Sequence, residues 1–72
     1  MSKYAVIFEK SENGYGAYAP DLPGCIAVGD TIEETKSLMK RAIELHLASM
    51  REDGDPIPEP SHAADMLEVV TT

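Results

Sequence analysis

Hydrophobic and polar positions alternate over the first stretch of the chain and then change period. Lys3 to Lys10, KYAVIFEK, is a β-branched and aromatic run closed by charges at both ends, which predicts a strand. Its alternation puts Tyr4, Val6 and Phe8 on one side and Ala5 and Ile7 on the other. Ser11-Glu12-Asn13-Gly14 predicts a hairpin turn, because Asn and Gly tolerate positive φ. Tyr15 to Ala19 then predicts a second, antiparallel strand, ended by Pro20, which has no N–H to give a ladder. After the proline-rich PDLPG, Cys25 to Val28 predicts a third short strand, stopped by Gly29-Asp30.

From Thr31 the period becomes helical. Thr31 and Glu34 form the T-x-x-E pattern of a capping box, with Glu33 and Glu34 at the positive end of the dipole. Ile32, Thr35, Met39, Ala42, Ile43, His46 and Met50 recur on one stripe, widened by Leu38, Leu45 and Leu47. Gly54 and Pro56 stop the pattern, so the helix is predicted from Ile32 to Asp53, roughly 33 Å at about 1.5 Å per residue. The Pro56, Pro58 and Pro60 alternation requires an extended segment, and Met66 to Val70 predicts a short last strand. The fold class is α+β in the order β-β-β-α-β: an antiparallel three-stranded meander, one long helix on one face, and a C-terminal strand. The whole chain, 1–72, forms one domain, with a core over about 3–54 and an extended, acidic, proline-rich tail over 55–72.

One helix covers one face of a sheet. The opposite face, carrying Ala5 and Ile7, therefore needs another cover, and self-association supplies it most directly. The helix also outruns five-residue strands of roughly 17–20 Å, so its far end, with His46 and Met50, is expected to meet the tail or another subunit. Size points the same way. A chain of 72 residues with one cysteine has no internal disulfide to stabilise a small core. Thirteen acids against six bases give a charge of −7, which disfavours direct nucleic-acid binding and suits a basic protein partner. The start, Met1-Ser2-Lys3, leads directly into a run too short for a secretory or membrane segment, and a lone thiol suits a reducing compartment; a cytoplasmic location is expected.

The candidate chemistry is sparse. Asp21, Asp30, Glu33 and Glu34 are the carboxylates that a magnesium site would use, but Val6 and Ile7 occupy the strand positions where such a site needs ligands. Cys25 would need an activating base, and His46 and His62 lie elsewhere in the chain. No catalytic residue, metal or cofactor is expected. Binding is the better-supported chemistry. Pro20 and Pro23 stiffen the PDLPG corner between the second and third strands, which either only turns the chain or leaves Asp21 and Leu22 at the surface to touch a partner. From Glu52 onward there is no Lys or Arg, so Glu52, Asp53, Asp55 and Glu59 belong either to a solvated tail or to an arm that lies across a basic partner.

The ordered set YAVIFEK, ENG, YGAYAPDLPGC, GDTIEE and REDGDPIPEPS resembles the HicB-like antitoxin family over about residues 3–61, specifically its N-terminal partner-binding domain. The resemblance implies a partial ribonuclease H-like fold without catalytic activity, and assembly into dimers or tetramers. It also implies a partner, HicA: a small basic toxin that cleaves messenger RNA and whose active site the antitoxin covers. Complete members carry a C-terminal DNA-binding segment; with the chain ending at Thr72, autorepression through DNA is not expected of it. The alternative within the same resemblance is a solitary, non-catalytic oligomeric module with an unknown partner.

Overall fold

Ile7 pairs with Tyr18 and Ser11 with Gly14 across the first hairpin, and Tyr15 pairs with Gly29 and Tyr18 with Ile26 across the second. These two antiparallel ladders define β1 (Ile7–Ser11), β2 (Gly14–Tyr18) and β3 (Ile26–Gly29), in the sheet order β1-β2-β3. A single helix, α1 (Ile32–Glu52), follows and lies over β3 and β2. The structure is a computed structural model, and it describes residues 2–71.

The first strand begins later than its apolar pattern predicts. Residues 3–6 lie outside the ladder, because β2 ends at Tyr18, opposite Ile7, and has nothing further to pair with them. Tyr4, Val6 and Phe8 still pack against the core, so the alternation holds where the hydrogen bonds do not. The last expected strand is not formed. Met66, Leu67, Val69 and Val70 are 73–94% exposed and outside any ladder. β-propensity describes fit to a pleated, half-buried surface, and these residues are exposed and lie unpaired.

The helix ends are as the sequence requires. Thr31 caps the N-terminus, its hydroxyl accepting the Glu34 N–H at 3.1 Å. The Glu34 carboxylate reaches back to the N–H of Asp30 at 3.0 Å, one residue before the cap. At the other end the Gly54 N–H donates to the Arg51 carbonyl and the Asp55 N–H to the Met50 carbonyl, with Gly54 at φ 74°. That is a Schellman motif, and it reverses the chain into the tail.

Between helix and sheet sit Ala17, Ala19, Leu22, Cys25 and Met39, with Thr35 fully buried beside them and donating its hydroxyl to the Thr31 carbonyl at 2.7 Å. Gly29 lets the two layers approach, since a Cβ there would lie 2.7 Å from the Thr35 hydroxyl. The core is small and the molecule elongated. Its radius of gyration is 14.0 Å, against about 11 Å for a compact domain of this length. Its accessible surface is 5896 Å², against about 4,400 Å² for a compact monomer of 7.8 kDa.

Candidate partner-binding surface

The segment APDLPGC resolves into two consecutive β-turns. The Leu22 N–H donates to the Ala19 carbonyl at 3.0 Å, with Pro20 second in the turn, and the Cys25 N–H donates to the Leu22 carbonyl at 3.1 Å, with Pro23 second. Gly24, at φ 84°, takes the left-handed third position that a proline-glycine turn of type II demands. Leu22 is the hinge between the two turns, and it points inward. It is 1% exposed and belongs to the core, which corrects the expectation that it lies at the surface. A loop composition rich in proline and glycine does not reveal that its one large apolar residue is an anchor.

Asp21 is not offered to solvent either: its side chain is 5% exposed. Its carboxylate accepts the Ser61 hydroxyl, the Ser61 N–H at 2.9 Å, the His62 N–H at 3.2 Å and the His62 ring Nδ1 at 2.7 Å. Because a carboxylate only accepts, Nδ1 of His62 is the protonated ring nitrogen in this contact. The Ser61 bonds, hydroxyl first and then backbone, outweigh burial and with the His62 bonds hold the Asp21 carboxyl well below the usual carboxylate range. The sequence places forty residues between these partners and gives no signal of the contact.

The tail that Asp21 grips is the acidic segment. Its other anchor is the Tyr4 phenol, which donates to the Pro58 carbonyl at 2.6 Å. Ile57 and Pro58 are half-buried, whereas Glu52, Asp53, Asp55 and Glu59 are all exposed. The four acids named from sequence thus follow one path, from the last helical turn into the tail.

The opposite face of the sheet carries a second surface. Ile26 is 65%, Val28 73% and Tyr18 41% exposed, and Ile7, paired with Tyr18, lies beside them half-buried. Ala5, ahead of the first ladder pair, is half-buried. His46 and Met50 are half-buried on the helix, on the other side of the sheet from this face, so the two regions expected to meet other subunits are separate surfaces. Tyr18, Ile26 and Val28 were legible in principle: alternation about Ala17 and Ala27, which face the helix, turns them outward.

Little here resembles a reactive centre. Cys25 is buried, and burial pushes its thiol above the ordinary range. Among the described residues no three His, Cys, Asp or Glu side chains converge as metal ligands, and no helix is long and apolar enough to cross a membrane.

A family model described as "HicB_like antitoxin of bacterial toxin-antitoxin system" matches residues 4–70. The chain belongs to the HicB-like antitoxin family. This HicB-like chain is 36% identical over 59 residues to a Photorhabdus laumondii protein named Antitoxin HicB 2, covering 82% of this chain and 42% of that one. It is 39% identical over 56 residues to an uncharacterized 14.9 kDa protein of Haemophilus phage HP1, covering 78% of this chain and 42% of that one. A Helicobacter pylori UPF0150 protein is 45% identical over 47 residues, or 65% of each chain. The HicB-like chain therefore spans about two fifths of the phage and Photorhabdus relatives. In structure it is similar to a chain of a solved HicA3 and HicB3 toxin-antitoxin complex, with a TM-score of 0.72, 27% identity, and coverage of 83% of this chain and 70% of that one. The likeness includes the α+β arrangement of a three-stranded antiparallel sheet followed by one long helix.

Proposed function

We propose that this chain neutralises a small, basic, RNA-cleaving toxin of the HicA type by binding it and covering its active site. The observation that carries the reading is the match of nearly the whole fold to a chain of a HicA3–HicB3 complex, together with the family membership. The physical properties are consistent with it. A net charge of −7 speeds encounter with a basic protein. The accessible surface exceeds that of a compact monomer by about 1,500 Å², more than the roughly 800 Å² that each partner buries in a standard interface. The chain acts by occlusion in the cytoplasm, uses no cofactor and is not an enzyme. Asp55 and Glu59, with Glu52 and Asp53, meet the toxin, and the face of Ile7, Tyr18, Ile26 and Val28 meets a second copy of the chain.

The test is genetic and biochemical. The short reading frame beside this gene is expressed alone and with this chain. Growth arrest by the neighbour, relieved by this chain, together with a co-purifying complex, is the expected result. A neighbour that is harmless alone, or arrest that this chain does not relieve, rejects the reading. The other reading is a solitary oligomeric HicB-like module without a toxin. What favours it is the open apolar face: if Ile26→Asp and Val28→Asp abolish self-association in a chain that captures no basic neighbour, that reading replaces the first.

A further inference from the structure

The tail leaves the helix in a direction fixed by the Schellman motif and then runs as D-P-I-P-E-P-S, residues 55–61. Pro56, Pro58 and Pro60 have no N–H, so this segment has few donors with which to join a sheet. It is stiff, and it can be held chiefly through carbonyls, through side chains and at its far end. The structure holds it in those ways. Ile57 shares a groove with Tyr4, Ile43 and Leu47, beside the helix on the β1 side. The Tyr4 phenol takes the Pro58 carbonyl, and Asp21 takes the end at Ser61 and His62. Ile57 and Pro58 are half-buried, whereas Asp55 and Pro56 before them and Glu59 and Pro60 after them are exposed.

The Asp21 contact is built like a clasp. One carboxylate, 5% exposed, collects donors from two adjacent residues forty positions along the chain, and the β-turn Ala19–Leu22, in which Asp21 is third, fixes where that carboxylate points. A residue so engaged has no free lone pair to present to another protein. We infer that Asp21 is a positioning residue: it latches the proline-rich strap to the β2–β3 loop, and the strap, so held, presents Asp55 and Glu59 as a fixed acidic edge to a basic protein partner. The part concerning the partner rests on the toxin-binding reading above; the latch itself does not.

The experiment is amide hydrogen exchange on the free full-length chain, comparing wild type with Asp21→Asn. The variant keeps the shape of the side chain but replaces an acceptor with a donor pair. Exchange at Ser61 and His62 is expected to rise about tenfold or more, the scale of a lost charge-assisted hydrogen bond, while exchange at Met39 and Ile43 in the helix stays unchanged. Tyr4→Phe, which removes one hydroxyl and leaves the loop intact, is expected to loosen the strap near Pro58 in the same way. Unchanged exchange at Ser61 and His62 in Asp21→Asn overturns the latch, whatever the partner proves to be. If Asp21→Asn unfolds the chain, Tyr4→Phe and Ser61→Ala decide: protection lost only in the strap supports the latch, and protection kept there overturns it.

The second arm uses the protein encoded by the neighbouring reading frame as the probe. Asp21→Asn is expected to weaken its binding about fivefold or more, and to flatten the salt dependence as an Asp55→Asn/Glu59→Gln double variant does. In the background of that double variant, Asp21→Asn is expected to add little. Additive losses would mean that Asp21 touches the partner itself, which overturns the positioning role. A partner that fails to bind wild type rejects the toxin-binding reading and, with it, the edge assigned to Asp55 and Glu59, while the exchange measurement still decides the latch.

Discussion

Replacing Leu22 with alanine puts the reading of the β2–β3 loop to its most direct test. Leu22 is 1% exposed, and the buried side chains of its cluster are mostly small: Ala17, Ala19 and Cys25, with Met39 from the helix. Ala17 and Ala19 have no side chain beyond Cβ with which to fill the space a leucine leaves. The loss therefore falls towards the middle or upper part of the usual range of about 2–5 kcal/mol for a buried leucine, at about 3–4 kcal/mol. A domain of this length has about 4–11 kcal/mol in all, so Leu22→Ala removes about a quarter or more of its stability. At about 4–8 °C per kcal/mol, the melting temperature should fall by at least about 12 °C. The assay is thermal and urea unfolding followed by circular dichroism at one protein concentration, since any self-association moves the midpoint. Leu45→Ala, on a residue 55% exposed, serves as the matched control and should stay within about 0.5 kcal/mol of wild type. A Leu22→Ala chain melting within about 4 °C of wild type would refute the inward anchor and return Leu22 to the surface.

Other consequences are as specific. Thr31→Ala should lower stability by about 1 kcal/mol in urea unfolding and Thr31→Asp by much less, because only the cap to the Glu34 N–H is lost. Gly29→Ala should cost about 1–3 kcal/mol, since its methyl would meet the Thr35 hydroxyl and the Glu34 carboxylate at 2.7 and 3.0 Å, and its effect should combine non-additively with Thr35→Ala. Cys25, buried and with its thiol pushed up, should react with an aromatic disulfide reagent at pH 8 only as fast as the chain opens; an immediate reaction at the rate of a free thiol would contradict its burial. The folded Asp21 carboxyl binds its proton less readily than the unfolded one, so its contribution to stability is complete above about pH 4 and is lost as pH falls below that value. Asp21→Asn should accordingly lose less stability than wild type between pH 4 and pH 2, measured by urea unfolding at each pH.

What the sequence discloses here depends on the range of the interaction. Thr31, Glu34 and Gly54 act within a few residues of themselves, and the helix they bound is found where the pattern puts it, with Asp53 as its cap. Strands require partners, and that is where the pattern overreaches. Lys3 to Val6 have the composition of a strand, but Tyr18 is the last residue of β2 to pair with β1, just before Pro20. Met66 to Val70 likewise have strand composition and no ladder. The PDLPG corner misleads in another way: its prolines and glycine are turn formers, as expected, yet Leu22 between them is core and Asp21 is spoken for by Ser61 and His62. Acidic composition identified the tail as a possible arm, whereas its path depends on Tyr4 and Asp21, which composition does not single out.

The departure from a sphere has a practical corollary for anyone counting copies of this chain. With principal extents of 51 × 26 × 19 Å, the single polypeptide tumbles and migrates like a larger particle. On a gel-filtration column calibrated with round standards it would elute early and be mistaken for a pair. Sedimentation equilibrium or light scattering, which weigh rather than size, are the measurements by which its stoichiometry should be judged.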